Sequence, residues 1–530
     1  MGQPLLPTYD YIVVGGGSGG AVVARRLAER GEVKVLLLEA GPSDIGLAAI
    51  EDAANWTALL GGPYDWGYRY APSPELNGRS IAIPRGRVLG GSSSINAMLW
   101  YRGHRSDYDA WEAAGATGWN FASVLPYFKR AEDWEDGASE LRGAGGPLRI
   151  ERPCDPHPIA RAMLDAAAEL GFPVIGDPNG ASNEGASLPN LNIGGGRRWS
   201  AARGYLHPVA DRPNLTIRTH ALAIGLRFDG RRCRSIRFII DGVVTEARAE
   251  AEIVLALGAI DTPRLLLMSG IGPSGELGRL GVPVLCDLPG VGENLQDHPL
   301  LMGINFRARR PLGPVRDNGG GAMMNWKSAP ALPAPDLHAF VVQGAHAGAE
   351  VASAYDLSGD IFAMSPGLMR STSVGRLRLQ SAAPDGALDI QPNFLAEPGD
   401  VEALIAGMDT MTELAGTKAF ADLVAGPAAP DRRLSRREKI AYIRMSCSTF
   451  FHPCGSCAMG EGERAVVDPQ LRVRGVDGLR IADASVMPII PSCNTHAPVV
   501  MIGERAADFI TGTKLATKTA KVSASAMERA

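Results

Sequence analysis

The sequence predicts an α/β protein in which a parallel-sheet domain draws on both ends of the chain and a second, α+β domain is inserted in pieces between them. Three observations carry this. The first forty residues read as strand, glycine turn, helix and strand. Residues 479–511 read as a short apolar strand followed by a long helix. Residues 305–420 are proline-rich, with alternating strand-like runs of a different character.

In chain order, residues 9–14 are apolar and β-branched and end at glycines, which marks a buried strand. Residues 18–30 carry Ala, Val and Leu on one helical face, and residues 33–38 form a second buried strand, completing a βαβ unit. Residues 56–79 hold aromatics, Pro and Gly without a period and read as an irregular excursion. Residues 81–96 are rich in Gly and Ser, and a helical region follows at 106–141. Residues 215–229 and 234–250 read as paired strands. A buried strand at 253–256 leads into a helix at 262–269. Strand-like runs occupy 337–342 and 374–379. A short strand at 479–481 runs to Asp483, and a terminal helix spans 496–511. The first domain is assigned 8–150, 200–305 and 435–514, and the second 151–199 and 306–434. The Lys-, Thr-, Ser- and Ala-rich stretch 515–530 is expected to be a flexible tail.

A net charge of −4 leaves no basic footprint for nucleic acid or an anionic membrane. Seven cysteines, an odd and sparse set, suggest free thiols in a reducing compartment. Cys454 and Cys457 form a C-x-x-C that lacks a thioredoxin-like setting and a second ligand pair, so structural thiols are expected and no metal site. The opening residues lack the basic and apolar regions of a signal peptide, and no apolar run reaches membrane-spanning length. A cytoplasmic location is the expectation.

Gly15, Gly17 and Gly20 form G-x-G-x-x-G between a strand and a helix. Gly15 permits the tight turn, Gly17 lets a pyrophosphate approach the backbone, and Gly20 lets helix and strand pack closely. Glu39 ends the next strand at the spacing required of a residue that accepts from ribose hydroxyls, and its charge disfavours a 2′-phosphate. The loop from Arg85 to Asn96 sets glycine and serine behind two arginines, which suits close backbone approach to a flat ring or a phosphate.

This loop resembles the first signature of the glucose–methanol–choline oxidoreductase family. The run from Gly258 to Pro273 resembles the second signature, and Gly292-Glu293-Asn294-Leu295-Gln296-Asp297-His298 resembles a further family segment. Phe451-His452-Pro453 and Asp483-Ala484-Ser485 continue the likeness, which runs from about residue 8 to 512 in the family's order. The resemblance implies a Rossmann-type FAD-binding domain and a substrate domain built on an antiparallel sheet. It also implies a set of FAD-binding candidates. Gly15, Gly17, Ser18, Gly20, Glu39 and Ala40 belong to the dinucleotide motif. Arg87, Leu89, Gly90, Gly91, Ser92, Asn96, Ala97 and Met98 belong to the flavin loop, with Asn96 and Ala97 nearest the ring. Ala223 would approach the adenine, Asp483 and Ala484 the phosphates or ribityl chain, and Ala497 and Pro498 the pyrimidine edge. Some family members bond a histidine after the paired serines covalently to the flavin. Ile95 stands there in this chain and has no nucleophile, so non-covalent FAD is expected.

Alcohol oxidation by a flavin needs a base for the hydroxyl proton and a path for hydride from the α-carbon to flavin N5. Imidazole suits the first task, and a second hydrogen-bonding group should hold the oxygen as alkoxide character develops. His452 and His496 match the family's catalytic pair, His452 as base and His496 as partner, with the two roles exchangeable. His104, His157, His207, His220, His298, His338 and His346 are given structural roles, His298 included although it lies within a family segment. The resemblance implies oxidation of a small primary alcohol to the aldehyde, with oxygen or another electron acceptor. Pyridoxine to pyridoxal is the single candidate reaction. A choline-like or aryl-alcohol dehydrogenase or oxidase, or a non-redox FAD-containing lyase on the same fold, are the alternatives.

Overall fold

The computed structural model describes residues 4–513, so the tail expected at 515–530 lies outside the described residues. The βαβ unit forms from β1 (Thr8–Val14), α1 (Ser18–Ala28) and β2 (Val35–Leu38), with Ile12 to Val14 and Val35 to Leu38 fully buried. Three more strands, β3 (Leu215–Arg218), β4 (Leu222–Asp229) and β5 (Arg232–Ile240), join it with the long β6 (Val243–Leu255). The sheet order is β3-β2-β1-β6-β5-β4. One end of β6 pairs antiparallel with β5, and its other end runs parallel to β1. A last parallel strand, β7 (Leu479–Ile481), adds to β6 from the far end of the chain.

Helix α2 (Gly258–Met268) follows β6, and α3 (His496–Thr511) packs on α1. Gly19 and Gly503 allow that approach: a Cβ on Gly503 would lie 2.9 Å from the Gly19 carbonyl oxygen. Glu504, fully buried on α3, is held by Arg26 of α1, by Arg130 and by the Tyr205 hydroxyl.

The second sheet is antiparallel throughout. Its order is Val424–Ala429, Asn305–Ala308, Ile361–Leu368, Leu337–Val342, Met323–Trp326 and Gly185–Ser187. Pro299–Leu301 bridges Ile361–Leu368 and Cys447–Thr449 at one side. His298 therefore enters this sheet, and His452 leaves it, on neighbouring strands.

Several boundaries differ from the expectation. The helix expected at 106–141 is two helices, Arg105–Ala113 and Phe121–Ala131, followed by a strand. Gly115 and Gly118 adopt left-handed conformations between them, and Asn120 caps the second helix. The segment 215–229 is two strands, because His220 has φ 55° and turns the chain; the first piece pairs with β2 rather than β5. The segment 234–250 is a hairpin turning at Asp241 and Gly242, both with positive φ. The strand expected at 253–256 is the end of β6. The run at 374–379 forms a separate ribbon, Arg376–Leu379 with Leu388–Gln391. Among the described residues no helix is long and apolar enough to cross a membrane.

Candidate active site

A single cleft runs from the glycine turn after β1 to the second sheet and encloses about 2040 Å³ of empty space, its open mouth included. Gly15, Gly17, Ser18, Glu39, Ala40, Gly91, Ser92, Asn96, Ala97, Asp483 and Ala484 line it, together with both His452 and His496.

At one end, Gly17 precedes α1 without a side-chain cap, and no acidic residue occupies the first turn. The helix N-terminus thus offers its N–H groups to an anion. Gly91, with φ 55°, crosses so close that a Cβ there would lie 2.7 Å from the Gly17 Cα. The Gly90 N–H donates to the Gly16 carbonyl at 2.8 Å, locking the two glycine loops together. Glu39 accepts from the N–H groups of Gly16 (2.9 Å) and Gly41 (2.8 Å), and burial pushes its carboxyl up to about 7 against those bonds. Two of the four or so acceptor sites of a carboxylate are used, which leaves capacity for hydroxyl donors.

The remaining candidates stand one layer away from the cleft. Gly20 lets α1 pack on the Gly15 carbonyl. Arg87 is exposed and caps the Trp66 ring at 4.8 Å. Leu89 is buried beneath Gly16, and Gly90 supplies the left-handed turn. Met98, with φ 61°, is buried among Ala53, Leu191 and Ile193. Ala223 is half-buried on β4, two residues beyond Ala221, whose N–H donates to the Glu39 carbonyl. Ala497 and Pro498 are buried in the first turn of α3. The Asp483 side chain holds the start of α2, accepting from the Gly258 N–H (2.9 Å), the Thr262 hydroxyl (2.6 Å) and the Ser485 N–H (2.8 Å).

At the other end, His452 is fully engaged. Its Nδ1 lies 2.9 Å from Nδ1 of His298, and its Nε2 lies 3.1 Å from Nδ2 of Asn494. An amide NH₂ can only donate, so Nε2 carries a lone pair and the ring proton is on Nδ1, directed at His298. Phe450 lies flat against the His452 ring, with centroids 5.3 Å apart and planes at 11°. Burial, with the neighbouring His298 and the Arg85 guanidinium, holds His452 well below the usual imidazole range. His298 is pushed down to about 3 for the same first reason.

Both histidines hang on Asp297. One of its oxygens accepts from the main-chain N–H of His298 (2.8 Å) and of His452 (2.9 Å). The other accepts from the Tyr70 hydroxyl (2.5 Å) and the Thr449 hydroxyl. Phe451, between Phe450 and His452, has φ 67°, a costly conformation for an aromatic residue, and Arg85 binds its carbonyl at 2.5 Å.

His496 lines the same wall without bonding to His452. Its Nδ1 lies 3.0 Å from the Ser18 hydroxyl, Trp100 meets its ring edge-on, and burial lowers it to about 4. Its Nε2 is buried with no partner among the described residues. Behind the flavin loop, Arg198 is 2% exposed and binds the carbonyls of Ile50, Ser93 and Asn96 and the Asn96 side chain. Among the described residues its Nη2 is without a partner and no carboxylate pairs with it. These orphaned groups, the bare helix terminus and the glycine cradle fit a large, phosphate-bearing ring cofactor.

His298, expected to be structural, is the hydrogen-bond partner of the candidate base, a contact the sequence did not reveal. Asn494, Asp297 and Arg198 were also missed. Asn494 stands two residues from His496 in the same stretch and was legible there as a second polar group. Nothing local in the sequence marks Arg198.

Family profiles described as GMC oxidoreductase match residues 9–300 and 371–503. The chain is 39% identical over 540 residues to the mitochondrial choline dehydrogenase of Homo sapiens, covering 95% of this chain and 90% of that protein. It is 37% identical over 536 residues to an oxygen-dependent choline dehydrogenase of Sinorhizobium medicae, covering 95% of each. Among solved structures it is similar to a pyridoxine 4-oxidase from Mesorbium loti, with TM-score 0.91, 34% identity, and coverage of 96% of this chain and 100% of that one. It is also similar to a formate oxidase of Aspergillus oryzae, with TM-score 0.88, 27% identity, and coverage of 96% and 99%.

Proposed function

This chain belongs to the GMC oxidoreductase family, an FAD-dependent oxidoreductase acting on CH–OH groups, and on that premise we propose that it oxidises a small, uncharged, ring-bearing primary alcohol to the aldehyde, with pyridoxine the named candidate. The carrying observation is the chemistry of the wall at His452. Phe450, Phe340, Leu300 and Val342 line it and form an apolar, partly aromatic face. Among the described residues, the carboxylates lining the cleft are Glu39, Asp261 and Asp483. Glu39 stands at the glycine turn, Asp483 holds the start of α2, and Asp261 binds the Tyr68 hydroxyl at 2.7 Å. A quaternary ammonium group wants a free carboxylate beside aromatic faces, whereas a neutral ring needs only the faces.

Bound FAD supplies the two-electron acceptor for hydride from the alcohol carbon. His452 takes the hydroxyl proton at Nε2, and its low basicity keeps it unprotonated at neutral pH. For this the Asn494 amide turns from Nε2 to the substrate oxygen, freeing the ring's single lone pair for the proton and donating to the oxygen as negative charge grows there. His298 and Asp297 fix the ring's tautomer and position. His496, the expected partner of His452, lines the same cleft with its Nε2 unpartnered among the described residues and can hold the substrate oxygen as well, while its Nδ1 meets Ser18 toward the glycine turn. Ile95 lines the cleft and offers no atom for a covalent link, so the cofactor is held by these non-covalent contacts alone.

A choline-like substrate is the second reading, favoured by the 39% identity to the human choline dehydrogenase. Comparing kcat/KM for pyridoxine, benzyl alcohol and choline, with oxygen and with an artificial dye as acceptor, separates the two. A preference of at least about tenfold for the ring alcohols is expected; a preference for choline overturns the first reading.

A further inference from the structure

We propose that His346 orients the substrate, donating a hydrogen bond from Nε2 into the cleft to an acceptor atom on the substrate ring, so that the preferred alcohols carry a ring nitrogen or a phenolic or carbonyl oxygen. The proposal rests on the ring-alcohol reading above and narrows it.

His346 lines the cleft beside Phe340, ring centroids 5.7 Å apart, and is half-buried. Its main chain is fixed from both sides by Asn305, which is 1% exposed. The His346 N–H donates to the Asn305 side-chain Oδ1 at 2.9 Å, and the Asn305 Nδ2 donates to the His346 carbonyl at 3.1 Å. Its ring is fixed by Ser365, whose hydroxyl lies 2.6 Å from Nδ1. Ser365 is fully buried, and among the described residues that ring is its hydroxyl's partner. A buried O–H that does not donate forfeits its hydrogen bond, so Ser365 donates to Nδ1. The imidazole proton is then on Nε2. No hydrogen bond engages that nitrogen among the described residues, and His346 lines the cleft.

The surrounding wall is apolar, and its other polar side chains are spent. Gln343 donates to the carbonyls of Leu312, Gly313 and Pro314 and accepts from the Arg316 N–H. Asn318 donates to the Ala97 carbonyl and accepts from the Gly320 N–H. Two buried polar side chains thus aim one imidazole into an apolar wall, an arrangement that fixes orientation and specificity in ligand sites. Burial lowers His346 to about 4, so it acts as a neutral, single donor on this face.

The test uses the holoenzyme, its flavin content checked first, and compares wild type with His346→Leu, His346→Gln and Ser365→Ala. The readouts are kcat and KM for pyridoxine and benzyl alcohol, and the inhibition constant of 3-hydroxypyridine, an unreactive ring acceptor. In His346→Leu the ratio of kcat/KM for pyridoxine over benzyl alcohol should fall roughly 10- to 100-fold. That fall should be carried by KM, and 3-hydroxypyridine should weaken in parallel. His346→Gln, which keeps a donor, should recover part of the loss, and Ser365→Ala should give an intermediate loss. An unchanged ratio in His346→Leu and Ser365→Ala overturns the assignment of His346. Wild-type turnover of choline alone overturns the ring-alcohol reading itself, and does so before any variant is compared.

Discussion

The N–H groups that hold His298 and His452 in register both end on one oxygen of Asp297. Asp297→Ala leaves both donors buried and unpaired and frees the Tyr70 and Thr449 hydroxyls, at a cost of about 2–4 kcal/mol. Asp297→Asn should cost less than half as much, because its carbonyl keeps the two N–H bonds and the hydroxyls can rotate to accept from the amide. Chemical denaturation checks the order Asp > Asn > Ala; equal stability of Ala and wild type would contradict it. His452 was legible because it stands beside a proline in a motif with a known counterpart. Its partner His298 was not, because the contact spans 154 residues and no local pattern reports it. Arg198 was invisible for a related reason. A buried, unpaired cation reads in sequence like any surface arginine.

The glycine loops are the elements proposed to hold the cofactor. Gly91 has a left-handed φ and stands 2.7 Å, Cβ to Cα, from Gly17, so Gly91→Ala is strained twice over and pushes the loops apart. The purified variant should carry well under half the flavin of wild type, read from the ratio of visible to ultraviolet absorbance. Full flavin content would show that the loops do not form the cradle. These loops were legible because glycine spacing has a steric meaning. Helix and strand boundaries were less so. The break between Ala113 and Phe121 depends on left-handed glycines that a helical period tolerates on paper, while Asp241-Gly242 is a hairpin signal within a run that otherwise reads as one strand.

Across the whole molecule, the parallel sheet supplies the glycine turn and the antiparallel sheet supplies the aromatic wall, and the proposed catalytic groups stand where the two meet. Four buried histidines, His298, His338, His452 and His496, and the half-buried His346 have depressed basicity. Above the unfolded value of 6.5 they are neutral in both states and exert no pull. Below it the unfolded chain binds protons that the folded chain refuses, so stability falls as pH drops toward about 4, by about 1.4 kcal/mol per pH unit for each such histidine. Glu39, raised to about 7, opposes this between its unfolded value of 4.5 and 7, and Asp261, Asp297 and Asp483, raised by burial, oppose it at lower pH. The melting temperature of the holoenzyme should therefore drop by roughly several degrees between pH 7 and pH 5; a flat or rising profile would contradict the burial of these rings. The overall α/β plan and the insertion of a second sheet were readable from strand periods at the two ends of the chain. The meeting of the sheets, which makes the site, is a tertiary fact. The most direct test of His452 as the base is anaerobic, stopped-flow bleaching of the bound flavin by pyridoxine in wild type and in His452→Ala. The variant should keep its flavin and bleach slower by a factor on the order of 10² to 10⁴. Near-equal bleaching rates would show that another group takes the proton.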